Sequence, residues 1–313
     1  MDNLNKFKGC LVGLACGDYL GAPVEFSFSR ADVIDFFDSE RLRPINILDD
    51  NNVRHVAGYY TDDTCMAMCL AESLIEKGFD TKDQFVKYKE WLFEGKNTPV
   101  KGDASIGVGN HTFNMLTQLD ENNLPDILKH REMHGGNGAL MKCAPIAMMY
   151  CNELTKLKNK TILSTIITHN SEDAVWSCIV QNAFIYYAFN RLDKERFVAT
   201  FLNDFQDCPE KIKSIVACDY LGMPVGARLE NSGYTLHSLK IVLYAFFRFN
   251  SFEEIVTESV YMAGDADTQG AIAGALAGAY YGYDNIPKEW RDALLNREYI
   301  EKLATDLHKI SNS

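Results

Sequence analysis

A chain of 313 residues with 47% hydrophobic content can bury a large core without disulfide staples. Its formal net charge of −12 repels a polyanionic backbone, and no Lys/Arg stripe with interleaved aromatics overrides it, which weighs against nucleic acid as a partner. Nine scattered cysteines with no Cys-x-x-Cys, a start without signal-peptide pattern and no apolar run long enough for a bilayer point to a cytoplasmic protein with no membrane span.

Helical periodicity dominates. The first apolar run predicts a helix over 4–19, closed by the turn Gly21-Ala22-Pro23, with Glu25 just beyond. Residues 29–60 carry little periodicity and read as an irregular excursion. Thr61-Asp62-Asp63-Thr64 then precedes helices over 64–77, 82–93 and 106–119, and the turn His134-Gly135-Gly136-Asn137-Gly138 feeds one over 139–151. Further helices are expected over 160–168, 172–190, 194–205, 210–220, 235–249 and 252–262. Asp265-Ala266-Asp267-Thr268 opens a helix over 268–283, and 299–310 closes the series. Gly270, Gly274 and Gly278 share one face of the 268–283 helix, so a neighbouring helix can approach closely. With no convincing strand and no low-complexity linker, the expectation is an all-α fold forming one compact domain over 1–313.

The two acidic runs carry the most chemistry. Asp and Thr before an apolar helix are ordinary N-caps. A cap needs one carboxylate, however, and a second beside it adds repulsion unless a cation neutralises both. Oxygen ligands at this density favour Mg²⁺, Mn²⁺ or Ca²⁺ over Zn²⁺. The spacing alone leaves caps and a two-metal site both open. The turn 134–138 offers free N–H groups at an expected helix start, an arrangement that suits phosphate, although most such turns are only turns. It does not match Gly-x-Gly-x-x-Gly and follows no strand, which excludes a Rossmann or P-loop reading.

In chain order, the segment from Gly9 through Gly17-Asp18 and Gly21-Ala22-Pro23-Val24-Glu25-Phe26, then Tyr60-Thr61-Asp62-Asp63-Thr64, Gly136-Asn137-Gly138-Ala139-Leu140-Met141-Lys142, Thr168-His169 and Gly264-Asp265-Ala266-Asp267-Thr268 resemble the ordered signature of the ADP-ribosylglycohydrolases. The resemblance runs over nearly the whole chain. It implies an all-α fold with a central cleft for two divalent cations, Mg²⁺ or Mn²⁺, held by Thr61, Asp62, Asp63, Asp265, Asp267 and Thr268. Glu25 matches a glutamate that approaches the metals and substrate, and Glu25 or Asp62 would take the proton from the attacking water. His134, Gly135, Gly136, Asn137 and Gly138 would take the diphosphate of ADP-ribose, with His169 in the same pocket.

The implied reaction is hydrolysis of the glycosidic bond between ADP-ribose and an acceptor, an ADP-ribosylated protein side chain. Such cleavage builds oxocarbenium character at ribose and calls for a positioned nucleophile and proton management. The acceptor side departs from the arginine-directed pattern. In Gly102-Asp103-Ala104-Ser105-Ile106-Gly107, Ser105 stands where those relatives carry an Asp before Ile-Gly, an Asp suited to pairing a guanidinium. Ser105 and Gly107 are therefore candidate substrate-binding residues on that side. Two alternatives stay open: a hydrolase of small derivatives such as O-acetyl-ADP-ribose, and a non-catalytic ADP-ribose-binding protein, against which the intact acidic motifs argue.

Overall fold

Helix α1 (Asn3–Gly21) and helix α13 (Ala266–Tyr281) lie against each other along their whole lengths, backbone on backbone. The computed structural model describes residues 3–26, 29–40, 45–49, 52–126 and 135–312. Between and after these two helices come α2 (Arg30–Glu40), α3 (Asp62–Lys77), α4 (Thr81–Glu94), α5 (Asn110–Gln118), α6 (Ala144–Met149), α7 (Leu154–Ile166), α8 (Glu172–Phe189), α9 (Phe197–Asp204), α10 (Glu210–Val216), α11 (Thr235–Arg248), α12 (Phe252–Tyr261), α14 (Lys288–Ala293) and α15 (Arg297–Ser311). The expected all-α fold is what forms. One addition is an antiparallel hairpin, β1 (Ile45–Asp49) with β2 (Asn52–Val56), paired Ile45 to Val56 through Asp49 to Asn52. Together with α2 it occupies the stretch read as an irregular excursion.

Helices α1, α8 and α13 are apolar on nearly every side, and each is buried along most of its length. A helix that is hydrophobic all round belongs inside. The glycine stripe of α13 meets a second stripe on α1. A methyl at Gly13 would fall 2.4 Å from the Gly274 carbonyl oxygen, at Gly17 1.9 Å from that of Gly270, and at Gly278 1.9 Å from that of Gly9. No side chain fits between the two backbones, so their separation is as small as helices allow. The stripes end where α13 begins, with Gly21 against Ala266 and Asp267.

Helix boundaries move from their expected places for local reasons. The helix expected over 106–119 starts only at Asn110, because Gly107 sits at φ +85°, in the left-handed region that interrupts a right-handed helix. The helix expected over 139–151 is reduced to Ala144–Met149, with Pro145 in its first turn. Residues 138–142 form turns, and the Lys142 ammonium takes the Gly138 carbonyl that a continuing helix would give to the Lys142 N–H. Among the described residues, no helix is long and apolar enough to cross a membrane.

Candidate functional site

Both acidic runs sit at helix starts, yet neither caps its helix. Thr61 is the N-cap residue of α3 and Asp265 that of α13, and neither side chain accepts a capping hydrogen bond. The cap of α3 comes from another helix. Asp18, buried on α1, accepts from Thr61 N–H and Oγ1–H at Oδ1 (3.0 and 2.8 Å) and from Thr64 N–H and Oγ1–H at Oδ2 (3.0 and 2.6 Å). The Thr61 hydroxyl also lies 3.2 Å from Asp63 Oδ2, a second and longer acceptor for its hydrogen. Asp62 and Asp63 are released from capping.

The close packing of α1 on α13 then brings the carboxylates together. One oxygen each from Asp18, Asp63 and Asp267 lie within 4.8 Å of one another, and so do oxygens from Glu25, Asp265 and Asp267. Asp267 belongs to both groups. Asp267 Oδ1 accepts the Thr268 N–H at 2.8 Å, and Asp265 Oδ2 accepts from Asn137 Nδ2 at 2.7 Å. Asp63 Oδ1 is buried without a hydrogen-bond partner. A buried carboxylate oxygen with no donor is costly unless a cation faces it, and this donor set of carboxylates and hydroxyls fits a hard divalent ion.

The electrostatics agree. Burial, reinforced by the neighbouring carboxylates, pushes Asp62, Asp63 and Asp267 well above the usual carboxylate range. Burial raises Asp18 to about 6 against its four hydrogen bonds from Thr61 and Thr64. Glu25 rises to about 7 through burial, then through Asp265 and Asp18. Positive charge at this spot would reverse every one of these shifts.

Above the carboxylates is a cavity of about 250 Å³. Glu25, Asp62, Asp265, Asp267 and Thr268 form part of its wall, and Gly107, Gly136, Asn137, Gly138 and His169 also line it. Thr61 and Asp63 are buried beside the first group. Gly107 presses on Asp62, where a methyl would fall 2.4 Å from Oδ1. The turn is pinned by residues 233–235: Asn137 N–H donates to Gly233 O (3.0 Å), Thr235 N–H to Gly135 O (2.9 Å), and Gly136 pairs with Tyr234.

Several sequence expectations look different in three dimensions. The Asn137 amide, expected at the diphosphate, is spent on Asp265 and on Ser238 Oγ (2.9 Å), so it supports the acidic side. Gly135 meets Thr235 and is not part of the cavity wall. Ser105 Oγ donates to the Leu92 carbonyl at 2.9 Å, facing α4, and Asp103 accepts from Tyr59 OH at 3.1 Å. His134 lies outside the described residues. Sequence reasoning missed Asp18, whose signal was a lone carboxylate in an otherwise apolar helix. It also missed His111, whose ring meets that of His169 edge to face at 4.7 Å in the cavity wall. Phe26 was missed as well: it stands 68% exposed at the cavity with φ +55°.

The sequence pattern described as ADP-ribosylglycohydrolase matches residues 1–313. ADP-ribosylarginine hydrolase Tri1 of Pseudomonas putida (strain GB-1) is 29% identical over 97% of this chain and 78% of its own length. ADP-ribosylhydrolase ARH3 of Homo sapiens is 28% identical over 98% of this chain and 94% of its own. A solved structure titled ADP-ribosylglycohydrolase-related protein complex superposes with a TM-score of 0.75 at 31% identity, covering 99% of both chains.

Proposed function

The chain belongs to the ADP-ribosylglycohydrolase family, and from that premise we propose that it hydrolyses the glycosidic bond between ADP-ribose and an acceptor with the help of two divalent cations, Mg²⁺ or Mn²⁺. The observation that supports this reading most directly is the pair of carboxylate groups sharing Asp267, with the orphaned Asp63 oxygen between helix starts. In it, Thr61, Asp62, Asp63, Asp265, Asp267 and Thr268 hold the cations. When bound, such ions supply a template for a ribose diol and Lewis acidity toward water.

The remaining roles fall to the protein. Glu25 and Asp62 both face the cavity with carboxylate oxygens that can accept a proton, and either is placed to take one from a water held there. Asp18 holds Thr61 and the first turn of α3. Gly136, Gly138 and the adjoining backbone take the diphosphate, and His169 lies beside them. Gly107 leaves room for the scissile ribose against Asp62. Ser105, its hydroxyl turned to Leu92, is assigned to the acceptor side by its place two residues before Gly107. Nine free cysteines, eight of them buried, suit a reducing cytoplasm.

The substrate is an ADP-ribosylated protein side chain. The test is release of ADP-ribose from arginine-linked and serine-linked ADP-ribosylated peptides and from O-acetyl-ADP-ribose, with Mg²⁺ and with EDTA. Metal-dependent release from a peptide is expected. Release from O-acetyl-ADP-ribose alone would replace the protein substrate with a small conjugate, and no release from any of them would overturn the reading.

A further inference from the structure

Lys142 is buried beneath the Gly-rich turn, 2% exposed, and among the described residues faces no carboxylate at hydrogen-bond distance. Its ammonium donates to the Gly138 carbonyl and to Thr168 Oγ1 (3.3 Å), and its remaining face lies over the Tyr88 ring, 5.4 Å from the centroid. An ammonium has three hydrogens and no lone pair, so every one of these contacts is a donation. Thr168 Oγ1 therefore accepts from Lys142.

The hydroxyl must still place its own hydrogen. Thr168 is fully buried, and among the described residues the one acceptor beside Oγ1 is Nδ1 of His169, at 3.0 Å. If the hydroxyl hydrogen goes there, Nδ1 carries no proton, and a neutral imidazole with a bare Nδ1 is protonated on Nε2. The Nε2 edge of His169 lies along the turn: a methyl on Gly136 would come within 3.4 Å of Nε2, and one on Gly138 within 3.1 Å. The N–H thus belongs to the wall assigned to the diphosphate. Burial lowers the Lys142 pKa to about 8, which leaves the ammonium form predominant at neutral pH.

We propose that Lys142 and Thr168 are positioning residues that lock His169 in the Nε2–H tautomer, making its imidazole a neutral hydrogen-bond donor to the diphosphate of the substrate. The assignment of the ligand rests on the proposed function, and the assignment of the tautomer does not. With the opposite tautomer, a lone pair would face an anionic phosphate oxygen and repel it. The same threonine supplies an internal reference. His111 Nε2 lies 2.7 Å from the Thr168 backbone carbonyl, which can only accept, so His111 is also protonated on Nε2, through a contact that no side-chain change at residue 168 removes.

Long-range ¹H–¹⁵N spectra of the histidine rings near neutral pH, with calorimetry of ADP-ribose binding in Mg²⁺, test the proposal. In the unmodified protein both rings should show Nε2–H. Thr168→Val, which keeps the shape and removes the hydroxyl, should release His169 to a mixed or Nδ1–H state, leave His111 unchanged and weaken ADP-ribose by about tenfold. Thr168→Ser should restore both the tautomer and the affinity. A wild-type His169 protonated on Nδ1 overturns the proposal, as does a Thr168→Val protein whose affinity drops while its His169 tautomer stays put. A wild-type protein that binds no ADP-ribose overturns the diphosphate reading instead, and the spectra of the free protein still decide the tautomer.

Discussion

Asp18 accepts both the backbone N–H and the hydroxyl of Thr61, across 43 residues of sequence and from a different helix. Capping of α3 is thereby transferred from its own first turn to α1. Asp18→Asn should test this, because the amide nitrogen would face a backbone N–H of Thr61 or Thr64, which only donates, leaving that buried donor unmatched. We expect a stability loss of about 1–3 kcal/mol by chemical denaturation in EDTA. Mg²⁺ affinity should fall about 10–100-fold, as for residues that orient ligands. Unchanged Mg²⁺ affinity would mean that Asp18 is only a cap.

Asp267 is shared by both carboxylate groups, so removing its charge affects both proposed cation positions. Asp267→Asn should abolish ADP-ribose release and eliminate the rise in melting temperature that Mg²⁺ or Mn²⁺ gives the parent protein. Near-parental turnover of this variant in saturating Mg²⁺ would falsify the two-metal reading.

Asn137→Ala should act on metal binding before it acts on substrate. The amide is the donor to Asp265 Oδ2, and its loss leaves that carboxylate freer to swing. The expected result is a drop of about tenfold or more in Mg²⁺ affinity, with ADP-ribose affinity largely recovered at high Mg²⁺. An ADP-ribose defect that high Mg²⁺ does not repair would return the side chain to the diphosphate.

Stability of the metal-free protein should depend on pH with a definite sign. Asp18 and Glu25 rise from ordinary values of 3.8 and 4.5 to about 6 and about 7 on folding, and Asp62, Asp63 and Asp267 also move up. The folded state therefore holds protons that the unfolded chain has released. Stability from these groups is fully present below their unfolded values and is lost as the pH climbs through the folded ones. In EDTA, the melting temperature should fall between pH 3.8 and about 7, and the gain from added Mg²⁺ should grow across the same window. A metal-independent profile would remove these carboxylates from the account.

Gly107→Ala places a methyl 2.4 Å from Asp62 Oδ1 at a backbone angle of +85°. The strain costs about 1–2 kcal/mol, and Asp62 must move to make room. Activity should fall more than tenfold while helical content is kept. Full activity would place Asp62 away from the chemistry.

Much of this architecture can be read along the chain where the informative residues are contiguous. The acidic pairs 62–63 and 265/267 stand out because they precede long apolar helices, and the glycine face of α13 because 270, 274 and 278 recur at helical spacing. Contacts between distant segments leave no such trace. Asp18 is the one carboxylate of a mostly apolar helix, and nothing local says that its partners are Thr61 and Thr64. The direction of the Asn137 amide depends on Asp265, 128 positions away, and that of the Ser105 hydroxyl on a carbonyl of α4. Helix α2 and the hairpin escaped notice because residues 30–56 lack a strong apolar period.

The contact of α1 with α13 also sets which mutations can reach the cations. Because the two backbones pack without an intervening side chain from Gly9 to Gly21, the separation of the helices that carry Asp18 and Asp267 is set by backbone contact. That contact rests on the glycines. An alanine at Gly9 stands nine residues from Asp18, about 14 Å along the helix, yet it must pry at the same pair of rods. The site is fragile to single methyl groups far away, a pattern that a deep mutational scan would display as a stripe of intolerance every fourth residue on both helices.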